Sequence, residues 1–105
     1  MEMLLQLVVL SLLSTSVAGW QIDWKIGENG LVMWDQNCDF TWFDIGEKPS
    51  LAEQCGGVCI ANKHCTHFTW TEGRCLMKRN PDGISVYEAR GAVCGYVTER
   101  INWGK

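Results

Sequence analysis

The stretch from Ser50 to Lys78, SLAEQCGGVCIANKHCTHFTWTEGRCLMK, holds four of the six cysteines. Cys55 and Cys59 are four apart, so a helix would carry both sulfurs on one face. Ser50 and Glu53 form a Ser-x-x-Glu capping box, which predicts a helix start near Leu51. Asn62 suits the far end of that helix. Residues 65–70 and 74–78 are two short runs separated by Thr71-Glu72-Gly73, the pattern of a hairpin. The unit reads as a helix bolted to a hairpin by two disulfides. Gly56 and Gly57 fall mid-helix and cost it roughly 1 kcal/mol each. Flanking disulfides would compensate, and the absent side chains would let the helix approach the sheet closely. The expected inward stripe is Leu51, Cys55, Val58 and Cys59.

Working outward, the 105-residue chain carries a formal charge of −3 and has room for one small domain. Residues 1–19 read as a secretory signal peptide. The apolar run from Leu4 to Leu13 is followed by Ser16-Val17-Ala18-Gly19, which places small residues at the cleavage positions. Roughly ten apolar residues are too few to span a bilayer, so no stable membrane insertion is expected after cleavage. Loss of that segment removes Glu2 and keeps all six cysteines. An even cysteine count in a short secreted chain is a disulfide framework. A core this small barely offsets chain entropy without such staples. The mild negative charge argues against nucleic acid or anionic membrane as a partner.

Trp20, Ile22, Trp24 and Ile26 alternate with polar residues, which predicts a strand. Gly27-Glu28-Asn29-Gly30 is a turn, and Leu31 to Trp34 returns as the second arm. Residues 20–36 therefore read as a tryptophan-rich hairpin whose large indoles are expected to pack on one another or on the main sheet. Trp42 and Phe43 are adjacent, so a strand would expose one of them. Residues 47–49 read as a polar linker, and Ile84 to Arg90 as a short helical turn. Residues 91–97 read as a last strand and residues 98–105 as a polar tail in which Trp103 stands alone.

The order of motifs is Cys38, Cys55-Gly56-Gly57-Val58-Cys59, Cys65-Thr66-His67-Phe68, Cys75-Leu76-Met77-Lys78 and Cys94-Gly95. This order resembles the PAN/apple domain superfamily, in particular its small secreted single-domain members, from about Trp34 to Val97, with the domain placed at residues 37–97. The resemblance implies an α+β, disulfide-rich fold with one helix packed across a curved antiparallel sheet. It implies the pairs Cys38–Cys94, Cys55–Cys75 and Cys59–Cys65, among fifteen connectivities that six cysteines allow. On a loop-entropy model the longest link would contribute roughly 4 kcal/mol and the shortest about 2. It further implies binding of proteins or carbohydrates without catalysis.

No nucleophile elbow and no carboxylate pair of defined spacing occurs, so no catalytic residue is assigned. A zinc site drawn from Cys55, Cys59, Cys75, His64 and His67 conflicts with oxidation in the secretory pathway. Neither metal nor cofactor is expected. The expected role is a secreted, extracellular binding module for a glycan or an extracellular protein. Trp42 and Trp70 are the candidate stacking surfaces, with His67, Arg74 and Lys78 supplying hydrogen bonds or charge. The alternative is a secreted effector or protease inhibitor that presents Lys78-Arg79-Asn80-Pro81.

Overall fold

The structure, a computed structural model, describes residues 19–102. The expected signal segment lies outside them except for Gly19, as does Trp103. Six strands form one antiparallel sheet: β1 (Lys25–Gly27), β2 (Val32–Phe40), β3 (Asp44–Pro49), β4 (His67–Thr71), β5 (Arg74–Lys78) and β6 (Val86–Val97). Their spatial order is β1-β2-β6-β4-β5-β3. Among the described residues a single α-helix, α1 (Cys55–Ala61), follows a 3-10 turn at Ala52–Gln54 and connects β3 to β4.

The helix sits where the cysteine spacing puts it, but its cap is shifted by one residue. Leu51 N donates to Gln54 Oε1 at 2.9 Å, and Gln54 N donates to Leu51 O at 3.1 Å. Ser50 instead turns its hydroxyl to Leu51 O. Leu51 is 57% exposed, outside the expected inward stripe, because the 3-10 turn rotates it away from the sheet. Cys55, Gly56 and Cys59 are buried. The helix ends at Ala61, with Asn62 as its C-cap. Asn62 is extended there rather than left-handed, and its side-chain oxygen accepts His64 N.

All six cysteines are bonded, as Cys38–Cys94, Cys55–Cys75 and Cys59–Cys65. These are the pairs that the resemblance implies. The first ties β2 to β6, and the second ties α1 to β5. The third ties α1 to the segment entering β4. Every one of these residues has no solvent exposure.

Both faces of the sheet are covered. Under the helix, Val32, Phe68, Met77 and Val97 surround the two helix disulfides, with Trp34, Val58, Ile60 and Trp70 half-buried around them. On the other face Phe40 and the Cys38–Cys94 bond pack against Trp20, Ile22, Trp24, Ile84 and Val86. Residues 20–24 are therefore not the expected strand. Only Lys25–Gly27 pairs with β2, and the tryptophans before it lie across the sheet. Trp24 stacks on Phe40 at 6.2 Å and meets Tyr96 edge-on at 5.1 Å. Asp35 holds this segment down, accepting from Asp23 N and Lys25 Nζ at 2.8 Å each and from Gln36 N at 2.7 Å. Burial pushes its carboxyl upward, yet these donors outweigh burial and hold it below the usual carboxylate range.

Three further expectations change. The expected linker 47–49 is the end of β3, an edge strand on β5, where Pro49 lacks only a donor that would face outward. Residues 86–90 are strand rather than helical turn, because Phe40 and Cys38 offer Val86 and Glu88 a ladder. The expected polar tail is integral to the domain at its start. Ile101 is buried, and Thr98 N bonds Leu31 O. Arg100 caps the helix C-terminus, donating to the carbonyls of Cys59, Ile60, Asn62 and Cys65 at 2.9–3.2 Å.

Gly95 marks the tightest approach of backbone to core. A Cβ there would stand 2.5 Å from Phe68 Cζ and 2.6 Å from Met33 O. Gly95→Ala is expected to destabilise by about 3 kcal/mol, at the upper end of overpacking costs. Gly57→Ala meets nothing within 4 Å and is expected to stabilise by about 0.5–1 kcal/mol. Denaturant unfolding of the oxidised protein checks both signs.

Arg100→Ala removes the side-chain donor from four carbonyls, of which Cys59 O and Asn62 O keep a backbone N–H, and is expected to cost about 2 kcal/mol. Arg100→Lys should recover only part of this, since an ammonium lacks the planar fork. An unchanged unfolding midpoint in Arg100→Ala would contradict the capping role.

Candidate functional site

Two residues between β2 and β3 break the strand pattern. Trp42 and Phe43 hold φ of 63° and 68°. Left-handed backbone is costly for bulky side chains, on the order of 1 kcal/mol or more per residue. The consequence is that both rings turn outward, at 76% and 52% exposure, where alternation on a strand would expose only one. The loop is held from below. Lys78 is 4% exposed, and its Nζ donates to Trp42 O at 3.3 Å and to Asp44 Oδ1. Arg79 N donates to Phe43 O at 2.9 Å.

These rings border a cleft of about 420 Å³ shared with Asn80, Ile84, Ser85 and His67. His67 is 1% exposed and meets Phe40 edge-on at 4.9 Å. Thr66 Oγ1 lies 2.8 Å from its Nδ1 and also accepts Asn80 N at 2.8 Å. The other acceptor within reach of that hydroxyl, Lys78 O, is at 3.5 Å. Thr66 Oγ1 thus engages Nδ1, which leaves Nε2 as the ring nitrogen turned away from it. Nε2 has no hydrogen-bond partner among the described residues. Burial, assisted by the nearby Lys78 ammonium and opposed by Asp44, pushes His67 down to about 4. The ring is neutral at physiological pH, and Nε2 is free to make one hydrogen bond.

The five sequence candidates thus divide. Trp42, His67 and Lys78 come together, with Lys78 acting as a support beneath the loop. Trp70 and Arg74 lie at the other end of the hairpin, since His67 pairs with Lys78 while Trp70 pairs with Cys75. Trp70 is half-buried on the helix face, and its Nε1 donates to Ser50 O at 2.9 Å. Arg74 is exposed and pairs with Glu47 at 3.0 Å. In the stretch Lys78-Arg79-Asn80-Pro81, Lys78 is buried in β5 and Arg79 donates to His64 O at 3.3 Å. The sulfurs of the zinc alternative are all oxidised, Cys55 bonded to Cys75 and Cys59 to Cys65.

A second concavity has no counterpart in the sequence reading. It is a groove of about 420 Å³ beside α1, between Ala52, Glu53 and Gly56 on one side and Glu28 and Trp34 on the other. Its residues come from four separate segments, so no local spacing announces it. The two faces of the sheet therefore carry different concavities. No protein-family model matches this chain, and no curated protein matches it. Among the described residues, no helix is long and apolar enough to cross a membrane.

The state of His67 predicts a pH dependence of stability. The unfolded chain takes up its proton near 6.5, and the folded chain only near 4. Between those values the unfolded state binds more protons, so stability falls as pH drops. The His67 contribution is intact above about 6.5 and lost below about 4, on the order of 3 kcal/mol in all. His67→Gln keeps a partner for Thr66 and should flatten that part of the curve. Identical slopes in the two proteins between these pH values would refute the assignment.

Proposed function

We propose that this chain is a secreted, non-catalytic binding module of the PAN/apple superfamily, and that the Trp42–Phe43 loop with the His67 cleft is its carbohydrate-binding surface. The observation that carries the reading is the pair of adjacent aromatics held outward in left-handed backbone over a buried lysine. Costly backbone persists where the surroundings over-determine it, and such places concentrate at ligand clamps. An exposed indole stacks on the apolar C–H face of a sugar ring. The neutral His67 Nε2, with Asn80 and Ser85 beside it, offers polar groups to ring hydroxyls. The ligand matches an uncharged, polar, flat-faced molecule better than an ion. The six-cysteine order and its pairing support the family reading. Three buried disulfides are compatible with life outside the cell.

Titration of the oxidised protein with a glycan panel, followed by tryptophan fluorescence, tests this reading. The expected result is saturable quenching or a spectral shift with at least one glycan. Trp42→Ala should weaken that binding about tenfold, as loss of a stacked aromatic does, while leaving the unfolding midpoint in place. Silence across the panel, together with capture of a defined extracellular protein through the same loop, would favour protein recognition instead.

A further inference from the structure

We propose that the groove beside α1 is a second ligand site, which takes a small amine cation carrying an aromatic or alkyl body. The groove encloses about 420 Å³, within the range of small-molecule sites. Val32 and Phe68 give it an apolar floor, and the Trp34 indole forms one wall. Gly56 keeps it open. A Cβ at that position would stand 3.5 Å from Glu28 Cγ and 3.6 Å from both Phe68 Cζ and Val32 Cγ1. Those are ordinary contacts, but any longer side chain would grow into the groove.

Charge selects the ligand class. Glu28, in the turn after β1, and Glu53, in the turn before α1, line the groove from two sides. Neither forms an ion pair among the described residues, and no cationic side chain lines the groove. Lys25 approaches the Trp34 ring, 5.6 Å from its centroid, but its ammonium is held by Asp35 at 2.8 Å. An anion would meet two like charges above an apolar floor. A neutral ligand would leave both carboxylates unused. A cation pairs with them while its apolar body covers Phe68 and Trp34, and the indole face adds cation–π attraction. The rim is polar, through Gln36, Asn37 and the two glutamates. A flat protein surface would rest on that rim, so only a ligand small enough to enter reaches the floor. This site lies on the helix face, apart from the Trp42–Phe43 loop, and does not rest on the carbohydrate reading.

The probe is 2-phenylethylammonium, with 2-phenylethanol and 3-phenylpropionate as its neutral and anionic counterparts. Binding is read by amide and indole chemical shifts of the oxidised protein. The expected result is saturable shifts at the Trp34 indole and the Gly56 amide with the ammonium. The alcohol should bind about tenfold more weakly, as for loss of one charge-assisted contact, and the carboxylate not measurably. Glu28→Gln with Glu53→Gln keeps shape and should weaken the ammonium about tenfold, whereas Trp42→Ala should change nothing. The proposal is overturned if the ammonium gives no saturable shift up to its solubility limit. It is equally overturned if the alcohol binds as tightly, or if the double glutamine variant binds as the parent does.

Discussion

A seven-residue helix with two internal glycines does not hold its shape in water, and this one is held from outside. Isolated helices shorter than about a dozen residues are marginal even with good helix formers. Here Cys55 and Cys59 bond to β5 and to the entry of β4, and the Arg100 guanidinium occupies the carbonyls at the far end. Gly56 lies over Phe68 and Val32, where a Cβ would make ordinary contacts at 3.6 Å and a longer side chain would grow into the groove beside the helix.

The opposite face answers the same need by other means. With the helix covering one side, the Cys38–Cys94 bond and Phe40 would face water on the other. Trp20, Ile22 and Trp24 cover them, tied by the Asp35 carboxylate to Asp23 and Lys25. β4 is consequently buried on both faces: Phe68 beneath the helix, His67 and Thr69 behind it. Two-sided burial explains why the histidine that begins β4 stays neutral. It also explains why Thr66, Asn80 and His67 satisfy one another.

The two concavities follow from where that covering stops. Behind β4, the cover ends at the loop carrying Trp42 and Phe43, and the Lys78 amine holds the loop's backbone while both rings remain outside. Beside the helix, the cover ends at Gly56, and Glu28 and Glu53 border an apolar floor. One concavity offers aromatic faces and a neutral imidazole, the other aromatic faces and acidic side chains. A domain of this size thereby presents two chemically distinct surfaces from one disulfide-braced sheet.

Much of the framework was legible because it is local. The spacing of Cys55 and Cys59, the Thr71-Glu72-Gly73 turn and the six cysteines each act within a few residues or by covalent chemistry. From these the helix, the hairpin and a disulfide-rich α+β domain follow. The site was legible only in fragments. Trp42 and His67 stood out by residue type, but Trp70 and Arg74 looked equivalent until register put them at the other end of the hairpin. Arg100 read as tail, and residues 20–24 read as strand, because their partners lie far along the chain. The sequence by itself determined which residues must be cross-linked and where the chain turns, since those depend on bonds and backbone preferences of near neighbours. Only the tertiary structure decided which faces are covered, which charges lack a partner and which rings stay outside, because each of those is a property of segments brought together by folding.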